Sequence, residues 1–457
     1  ASQPENLVRA VLAGTRGPMV SRWGHILLRR ALVSRLAAPL GMDPIEFAAL
    51  RVGVLNGMGE YALARAMVQD IDSAEWSQSL TQEALTAYLA SGDITGACPA
   101  VRLQGSARDD GAWQMWQAIC NAYAGETALA ASQLDRALFR GAAPRIDVLL
   151  ARRLAGAAGR GQRGVQIEWQ GVEELNPWRF GLATAVGEPL PEGLLDGALK
   201  AVDGAYYARA GAVLPMLPAA ERTAFAGRAA REGILSAGAM VDLYSEIYTG
   251  TAASGDSQTH AATLREAYLA SDPAARIAAM ERLWAAGPSL GGGDGYGARV
   301  LTAYAAARIP ADAANADAAG DLIAAMLTAG LDSNAARWAN VVEEGSLAWA
   351  LIALAGPRGG EVGQGAVESF TADDKSEGAR KSAFLVAGLA GLGRLSEGNA
   401  SSLAGDLDFD LTRQTRWSRT IARAAEVGNP ALVVFLAGLG MQGSSWEQMT
   451  PLHLYHI

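Results

Sequence analysis

Two cysteines, Cys98 and Cys120, are the residues whose type and spacing most clearly indicate chemistry. Such a pair can form a disulfide or remain as two buried free thiols, because cysteine packs like a small hydrophobic residue. The absence of an odd third thiol favours the disulfide, which would close a loop of about 20 residues and contribute roughly 3 kcal/mol to stability. A disulfide would also indicate an oxidising compartment.

Metal and cofactor sites are not indicated by the sequence. The four histidines are scattered along the chain: His25, His260, His453 and His456. They do not combine with the cysteines into the clustered spacing of a zinc site. A glycine cluster at residues 288–297 follows a helical stretch and not a strand, so it lacks the context of a phosphate-binding loop. We therefore predict no metal and no cofactor.

Catalytic patterns are equally sparse. The sequence has no Gly-x-Ser-x-Gly elbow and no His-Glu-x-x-His pair. The acid pairs Glu173-Glu174 and Asp373-Asp374 would point apart on a helix, so we interpret them as solvated surface. Soluble lytic transglycosylases have Glu-Ser closely followed by a Gly-Leu-Met-Gln-like loop, whereas Glu368-Ser369 and Gly440-Met441-Gln442 lie about 70 residues apart. No catalytic residue is predicted.

Helical hairpins would position the two cysteines. The stretch from Leu89 to Arg140 contains two similar turns, Ser91-Gly92-Asp93 and Ala124-Gly125-Glu126. In each turn glycine tolerates the left-handed conformation that ends one helix, and the acid suits the positive N-terminus of the next. Stacking of such hairpins can bring the cysteines side by side.

The turn glycines also indicate a repeat. Gly59, Gly92 and Gly125 are spaced by 33 residues, the length of tetratricopeptide-like helix pairs. Weaker echoes occur at Gly330, Gly393 and Gly428, with spacings of 63 and 35 residues. The full tetratricopeptide consensus is missing. We therefore predict an all-α fold, a degenerate tetratricopeptide-like α-solenoid of antiparallel helix pairs, with at least fifteen helices and essentially no sheet.

The first 40 residues are locally basic, with six arginines against Glu5. A helix over Val20–Ala38 would place Leu28, Leu32 and Leu36 in one row. This amphipathic helix is expected to pack against a neighbour; the alternative is a basic surface for anionic lipid or a partner, giving peripheral membrane contact. Next, Asp43-Pro44 is typical of a helix start, and Asn56-Gly57 of a helix end.

A glycine- and proline-rich stretch suggests how the domains are organised. Residues 1–158 form an N-terminal helical-repeat half with Cys98 and Cys120, residues 159–192 the Gly/Pro-rich boundary, and residues 193–457 a C-terminal helical-repeat half. Within the first half, Trp113 and Trp116 lie three residues apart on one helix and should pack against neighbouring helices. The alternative is an exposed aromatic pair in a sugar-binding groove.

Charge and hydropathy narrow the possible partners. The net charge of −9 and the pI near 5.2 argue against nucleic-acid binding, which requires clustered Lys and Arg. No transmembrane helix is predicted, because the longest uncharged run, residues 427–446, has an apolar centre too short to span a bilayer. The chain begins at Ala1 without methionine, which fits a processed N-terminus with the signal peptide removed.

Several segments resemble those of a family of large Ala-rich alphaproteobacterial exported helical-repeat proteins, some of which carry the name "antifreeze glycopeptide polyprotein". The segments are ACPAVRLQ…WQMWQAICNAYAGETALAASQLDRAL, AERTAFAGRAAREGILSAGAMVDLY and HLYHI. The resemblance implies helical architecture and export, and it implies no catalytic residues. In such proteins HLYHI opens a further helix, whereas here Thr450-Pro451 starts a helix and the sequence ends seven residues later. We therefore expect either that the C-terminal cap is truncated or that a partner completes it.

The combined expectation is a non-catalytic α-solenoid scaffold or binding protein of the bacterial cell envelope, located in the periplasm. Its partner would be another protein or an extended polymer bound on a concave face. One alternative is a polysaccharide-directed envelope enzyme. A cytoplasmic helical-repeat adaptor is another, and it would contain two free thiols.

Overall fold

The computed structural model describes residues 4–105, 108–158, 164–201, 204–250, 255–290, 295–356 and 359–457. Within these residues the chain is all-helical, with 26 α-helices packed in pairs and no strand. The single β-bridge recorded among them joins Met19 to Gln442. The all-α, solenoid-like fold class predicted from the sequence is therefore confirmed.

Most helices are short and follow one another closely. The first thirteen are α1 (Glu5–Gly14), α2 (Arg22–Val33), α3 (Pro44–Met58), α4 (Tyr61–Gln69), α5 (Gln78–Ala90), α6 (Cys98–Gln104), α7 (Gly111–Tyr123), α8 (Thr127–Arg140), α9 (Arg145–Ala157), α10 (Pro177–Ala185), α11 (Glu192–Lys200), α12 (Ala205–Gly211) and α13 (Ala219–Glu232). The remaining thirteen are α14 (Ala237–Thr249), α15 (Asp256–Leu269), α16 (Pro273–Ala285), α17 (Tyr296–Ala306), α18 (Ala319–Thr328), α19 (Asp332–Ala336), α20 (Leu347–Ala355), α21 (Gln364–Ala372), α22 (Arg380–Gly391), α23 (Glu397–Asp406), α24 (Arg416–Glu426), α25 (Pro430–Met441) and α26 (Pro451–His456).

The helices form two compact units. The N-terminal unit comprises Ser2–Arg16 and Leu32–Phe225, and the C-terminal unit comprises Gly17–Ala31 and Ala226–Ile457. Residues 159–163 of the predicted boundary, and residues 291–294 of the glycine cluster, lie outside the described residues. The division into 1–158, 159–192 and 193–457 stays a prediction.

Glycine turns separate consecutive helices, as predicted. Gly59, Gly92 and Gly125 have φ of 82°, 67° and 91°, a region that residues with a Cβ rarely adopt. The N–H of each glycine and of the acid that follows it bonds back to carbonyls of the preceding helix. Short connections of this kind make consecutive helices antiparallel neighbours.

Two helix ends differ from the sequence-based expectation. The first long helix covers Arg22–Val33 and not Val20–Ala38, so Leu36 lies beyond it. Asp43 caps α3 as predicted, but the helix continues through Gly57 to Met58. A Cβ on Gly57 would lie 2.7 Å from the carbonyl oxygen of Arg16, so glycine here permits close backbone contact and does not end the helix.

The segment Gly17–Ala31 packs against parts of the C-terminal unit that are distant in sequence. Arg22 is buried and donates from Nε to the carbonyl of Thr328 at 3.0 Å and from Nη1 to that of Leu235 at 2.9 Å. On the other side, the N–H of Gly443 donates to the carbonyl of Pro18 at 2.8 Å. An array in which only sequential repeats touch would not contain these contacts.

Candidate functional site

Cys98 and Cys120 are joined in a disulfide, as predicted, with a Cα–Cα distance of 5.1 Å. This distance lies within the usual disulfide range of about 4.4–6.8 Å. Cys98 begins α6, and Pro99 occupies the first turn, where its missing N–H has no intrahelical partner to lose. The bridge therefore ties the start of α6 to the buried face of α7.

The tryptophans next to this bridge are packing residues. Trp113 and Trp116 are 1% and 3% exposed, which confirms their predicted burial and removes them from any sugar-binding groove. Trp113 donates from Nε1 to the carbonyl of Gly105 at 2.8 Å. Trp116 meets Trp178 edge to face, with ring centroids 5.7 Å apart.

A buried ion pair in the N-terminal unit was not foreseen from the sequence. Arg179 donates from Nε to Asp147 Oδ1 at 2.7 Å, and both side chains are less than a tenth exposed. Burial raises the pKa of Asp147, and the hydrogen bond and charge of Arg179 oppose this only in part. The two residues lie on different helices, so no local spacing signals the pair.

The acid pairs have different surroundings from those predicted, because neither pair lies in a helix. Glu173 and Glu174 are exposed on a loop, as expected for solvated residues. Asp374, by contrast, accepts hydrogen bonds from the backbone N–H and hydroxyl of both Ser376 and Ser382. Burial alone would raise the pKa of Asp374, but these four bonds lower it to about 2. Its role is to order the start of α22.

Several arginines of the basic N-terminal segment bond to other groups of the protein. Arg22 is buried, Arg29 donates to the carbonyl of Gly233, and Arg9 pairs with Glu46.

In the described part of the chain no helix is long and apolar enough to cross a membrane. Those same residues contain no group of three or more His, Cys, Asp or Glu placed to hold a metal ion.

Three adjoining cavities form a concave surface in the C-terminal unit; we call them together the C-terminal groove. The first, of about 510 Å³, is lined by Pro18–Trp23, Arg231, Glu232, Tyr296, Arg380 and Gly443–Glu447. The second, of about 270 Å³, is lined by Leu347, Ala350, Leu351, Leu354, Phe370, Arg380, Lys381, Phe384, Leu385, Trp446 and Leu454. The third, of about 440 Å³, is lined by Gly345–Leu347, Phe370, Asp373–Ser376 and Lys381.

Shared residues connect the cavities in this order. Arg380 and Trp446 line both the first and the second cavity. Leu347, Phe370 and Lys381 line both the second and the third. The groove is therefore a row of neighbouring cavities with shared walls, of mixed polar and apolar lining in the first, apolar in the middle and charged with both signs at the far end.

An aromatic cluster lies where the first two cavities meet. Phe384 meets Trp446 edge to face at 5.9 Å, and the Arg380 guanidinium lies 5.1 Å from the centroid of the Phe384 ring. Arg380 also donates to the carbonyls of Trp446 and Met449, at 2.6 Å for Met449. These contacts fix the segment that precedes α26.

The apolar middle of the groove follows from the composition of α20. Its sequence, LAWALIALA, is apolar on every side, yet only Ala348 and Ala350 are buried, and Leu347 is 51% exposed. A helix that is apolar all round normally lies in a core. Helix α26 begins at the capping box of Thr450 and contributes Leu454 to the groove.

No protein-family model, no curated protein and no solved structure matches the chain. The resemblance to Ala-rich exported helical-repeat proteins therefore stays an expectation. A fold of this class hosts many functions, so function has to be argued from the geometry of the site.

Proposed function

We propose that the protein is a non-catalytic α-solenoid scaffold or binding protein of the bacterial cell envelope, which holds an extended partner in the C-terminal groove. The observation behind this proposal is that the three cavities lie next to one another, because neighbouring cavities share the lining residues Arg380, Trp446, Leu347, Phe370 and Lys381. Small-molecule sites are usually single concave pockets that enclose most of their ligand. A row of open, chemically different cavities suits a long partner.

The proposed periplasmic location is supported by the disulfide. Structural disulfides persist in oxidising compartments and are rare where thiols are kept reduced. Thiol labelling of the unfolded, unreduced protein from its natural host tests this, together with fractionation of the cells. We expect no labelled cysteine and recovery in the envelope fraction. Two labelled thiols in the cytosolic fraction would instead support the cytoplasmic adaptor.

Binding by the groove can be tested with a matched pair of surface variants. Leu347→Asp places a charge in the apolar middle of the groove, whereas Leu392→Asp changes a leucine of similar exposure, 54% against 51%, that does not line the groove. We expect purified envelope proteins or peptidoglycan sacculi to bind the wild-type protein and Leu392→Asp alike, and to bind Leu347→Asp at least ten-fold more weakly. Equal binding to both variants would contradict the proposal.

A polysaccharide-directed enzyme is the second candidate, and one observation favours it. Glu232 and Glu447 line the first cavity together with the half-exposed Trp23 and Trp446. Glycosidases act through two carboxylates that flank the sugar bond. However, Glu232 is held by Arg228 at 3.1 Å and is buried, as in a structural ion pair. Release of reducing ends from sacculi, abolished by Glu447→Gln, would establish the enzyme; we expect no release.

A further inference from the structure

We propose that the partner of the C-terminal groove is an extended polypeptide segment in which a bulky apolar residue is flanked by an acidic residue. This inference rests on the proposed binding function and specifies the chemical class of the partner. It follows from three properties of the groove: the size of its apolar middle, the polarity of its ends and the sign of its charges.

The apolar middle suits an anchoring side chain better than a whole ligand. Its volume of about 270 Å³ lies below the roughly 300–1,000 Å³ typical of small-molecule pockets. Its walls come from α20, α21, α22 and α26, and its lining side chains are aliphatic or aromatic apart from two cations. One or two large apolar side chains inserted there would cover Leu347 and Trp446, which are now exposed.

The polar ends distinguish a polypeptide from the two other long molecules of an envelope. A lipid acyl chain that outgrew the apolar middle would have to enter cavities lined by Arg231, Glu232 and Glu447, or by Asp373 and Lys375. A glycan has no bulky apolar group to fill the middle. A polypeptide alternates apolar side chains with polar groups and hydrogen-bonding backbone, so it matches all three cavities.

The charges beside the apolar middle indicate the acidic flank. Among the described residues that line it, the charged side chains are Arg380 and Lys381, and both are cations. The whole chain, of net charge −9, has three lysines, and two of them, Lys375 and Lys381, lie at this groove. Lys381 is exposed at the rim, where a partner carboxylate next to the anchor could reach it. Such complementarity contributes mainly specificity and association rate.

The test is a selection from a displayed library of random dodecapeptides against the full chain, with counter-selection against Leu347→Asp. We expect enriched peptides to combine Leu, Phe or Trp with an adjacent Asp or Glu. Fluorescence anisotropy with the best peptide should then show at least ten-fold weaker binding to Leu347→Asp and unchanged binding to Leu392→Asp. Thermal melts of both variants verify that they are folded.

Charge reversal provides the sharper readout. Lys381→Glu should weaken the binding of the acidic peptide by only about three- to ten-fold, because an exposed ion pair contributes little. The same variant should bind more tightly a peptide whose acid is replaced by lysine. Arg419→Glu is the matched control, because this exposed residue of α24 lies outside the groove and its change alters net charge equally. Equal effects of the two reversals would overturn the acidic flank.

The outcomes separate this inference from the proposed binding function. Enriched peptides without an apolar and acidic pattern would overturn the inference. So would peptidoglycan fragments that bind the wild-type protein and not Leu347→Asp, although these would leave the binding function intact. A homodimer that Leu347→Asp dissociates would identify a second copy as the occupant and would also overturn it. If no peptide or fragment distinguishes the wild-type protein from Leu347→Asp, both proposals fail.

Discussion

Removal of the disulfide should destabilise the N-terminal unit selectively. The double variant Cys98→Ala with Cys120→Ala opens a loop with a sequence separation of 22. Loop-closure entropy assigns such a loop about 3 kcal/mol at 25 °C. Loss of the sulfur of Cys120, which is 1% exposed, removes buried apolar contact worth up to about 1 kcal/mol. We therefore expect the free energy of unfolding to fall by about 3–4 kcal/mol.

The assay is urea unfolding combined with native-state hydrogen exchange. Helices α6 and α7 carry the bridge, and α8 and α9 pack on α7, so these four helices should lose the most protection from exchange. Helical repeats transmit destabilisation mainly through neighbours, so α20 and α22 should be little affected. Wild-type protein treated with a reductant serves as the control and should resemble the double variant. A loss below about 1 kcal/mol, or equal loss of protection in both units, would contradict the expected local stabilisation by the disulfide.

Three further changes have defined outcomes. Asp374→Asn should lower the free energy of unfolding by roughly 1–2 kcal/mol at pH 7. The pKa of Asp374 is lowered from 3.8 to about 2 in the native protein. The stability difference between wild type and variant, measured by urea unfolding, should therefore shrink as the pH falls through that interval. Arg179→Met leaves Asp147 as a buried unpaired carboxylate and should lower the free energy of unfolding by about 3–5 kcal/mol at pH 7. Because the pKa of Asp147 is raised, this loss of stability should decrease in acid. Adding Asp147→Leu should restore most of the stability, which calorimetry can measure. Gly57→Ala should destabilise the protein because of its backbone contact, whereas Gly197→Ala, in open space within α11, should stabilise it by roughly 0.5–1 kcal/mol in thermal melts.

Local features of this protein were predictable because they depend on neighbouring residues. The left-handed turns at Gly59, Gly92 and Gly125 follow from the absence of a Cβ, and the start of α3 follows from the Asp43 side chain accepting the N–H of Ile45 at 2.7 Å. The all-α class follows in the same way from helical spacing of apolar residues. The cysteine pairing was predictable because the sequence contains a single possible pair.

Tertiary structure alone decided which distant segments meet. Arg22 donates a hydrogen bond to Thr328, which lies 306 residues away in sequence, and Arg179 donates one to Asp147, 32 residues away. Periodicity records which face of a helix is apolar, but it does not record which element covers that face. The same limit applied to Gly57, whose role depends on a carbonyl from another segment.

The C-terminal groove has the same origin. The sequence of α20 is apolar on every side and does not indicate that Leu347 is exposed, and Arg380 and Trp446 are separated by 66 residues. Only the packing of α20, α22 and α26 leaves Leu347 exposed beside Lys381 and joins three cavities into one surface. Helices, caps, turns and one covalent bridge could be predicted from the sequence, because each depends on residues close in the chain or on a unique pair. The binding surface was decided by tertiary structure, because it consists of the faces that the packed helices leave uncovered.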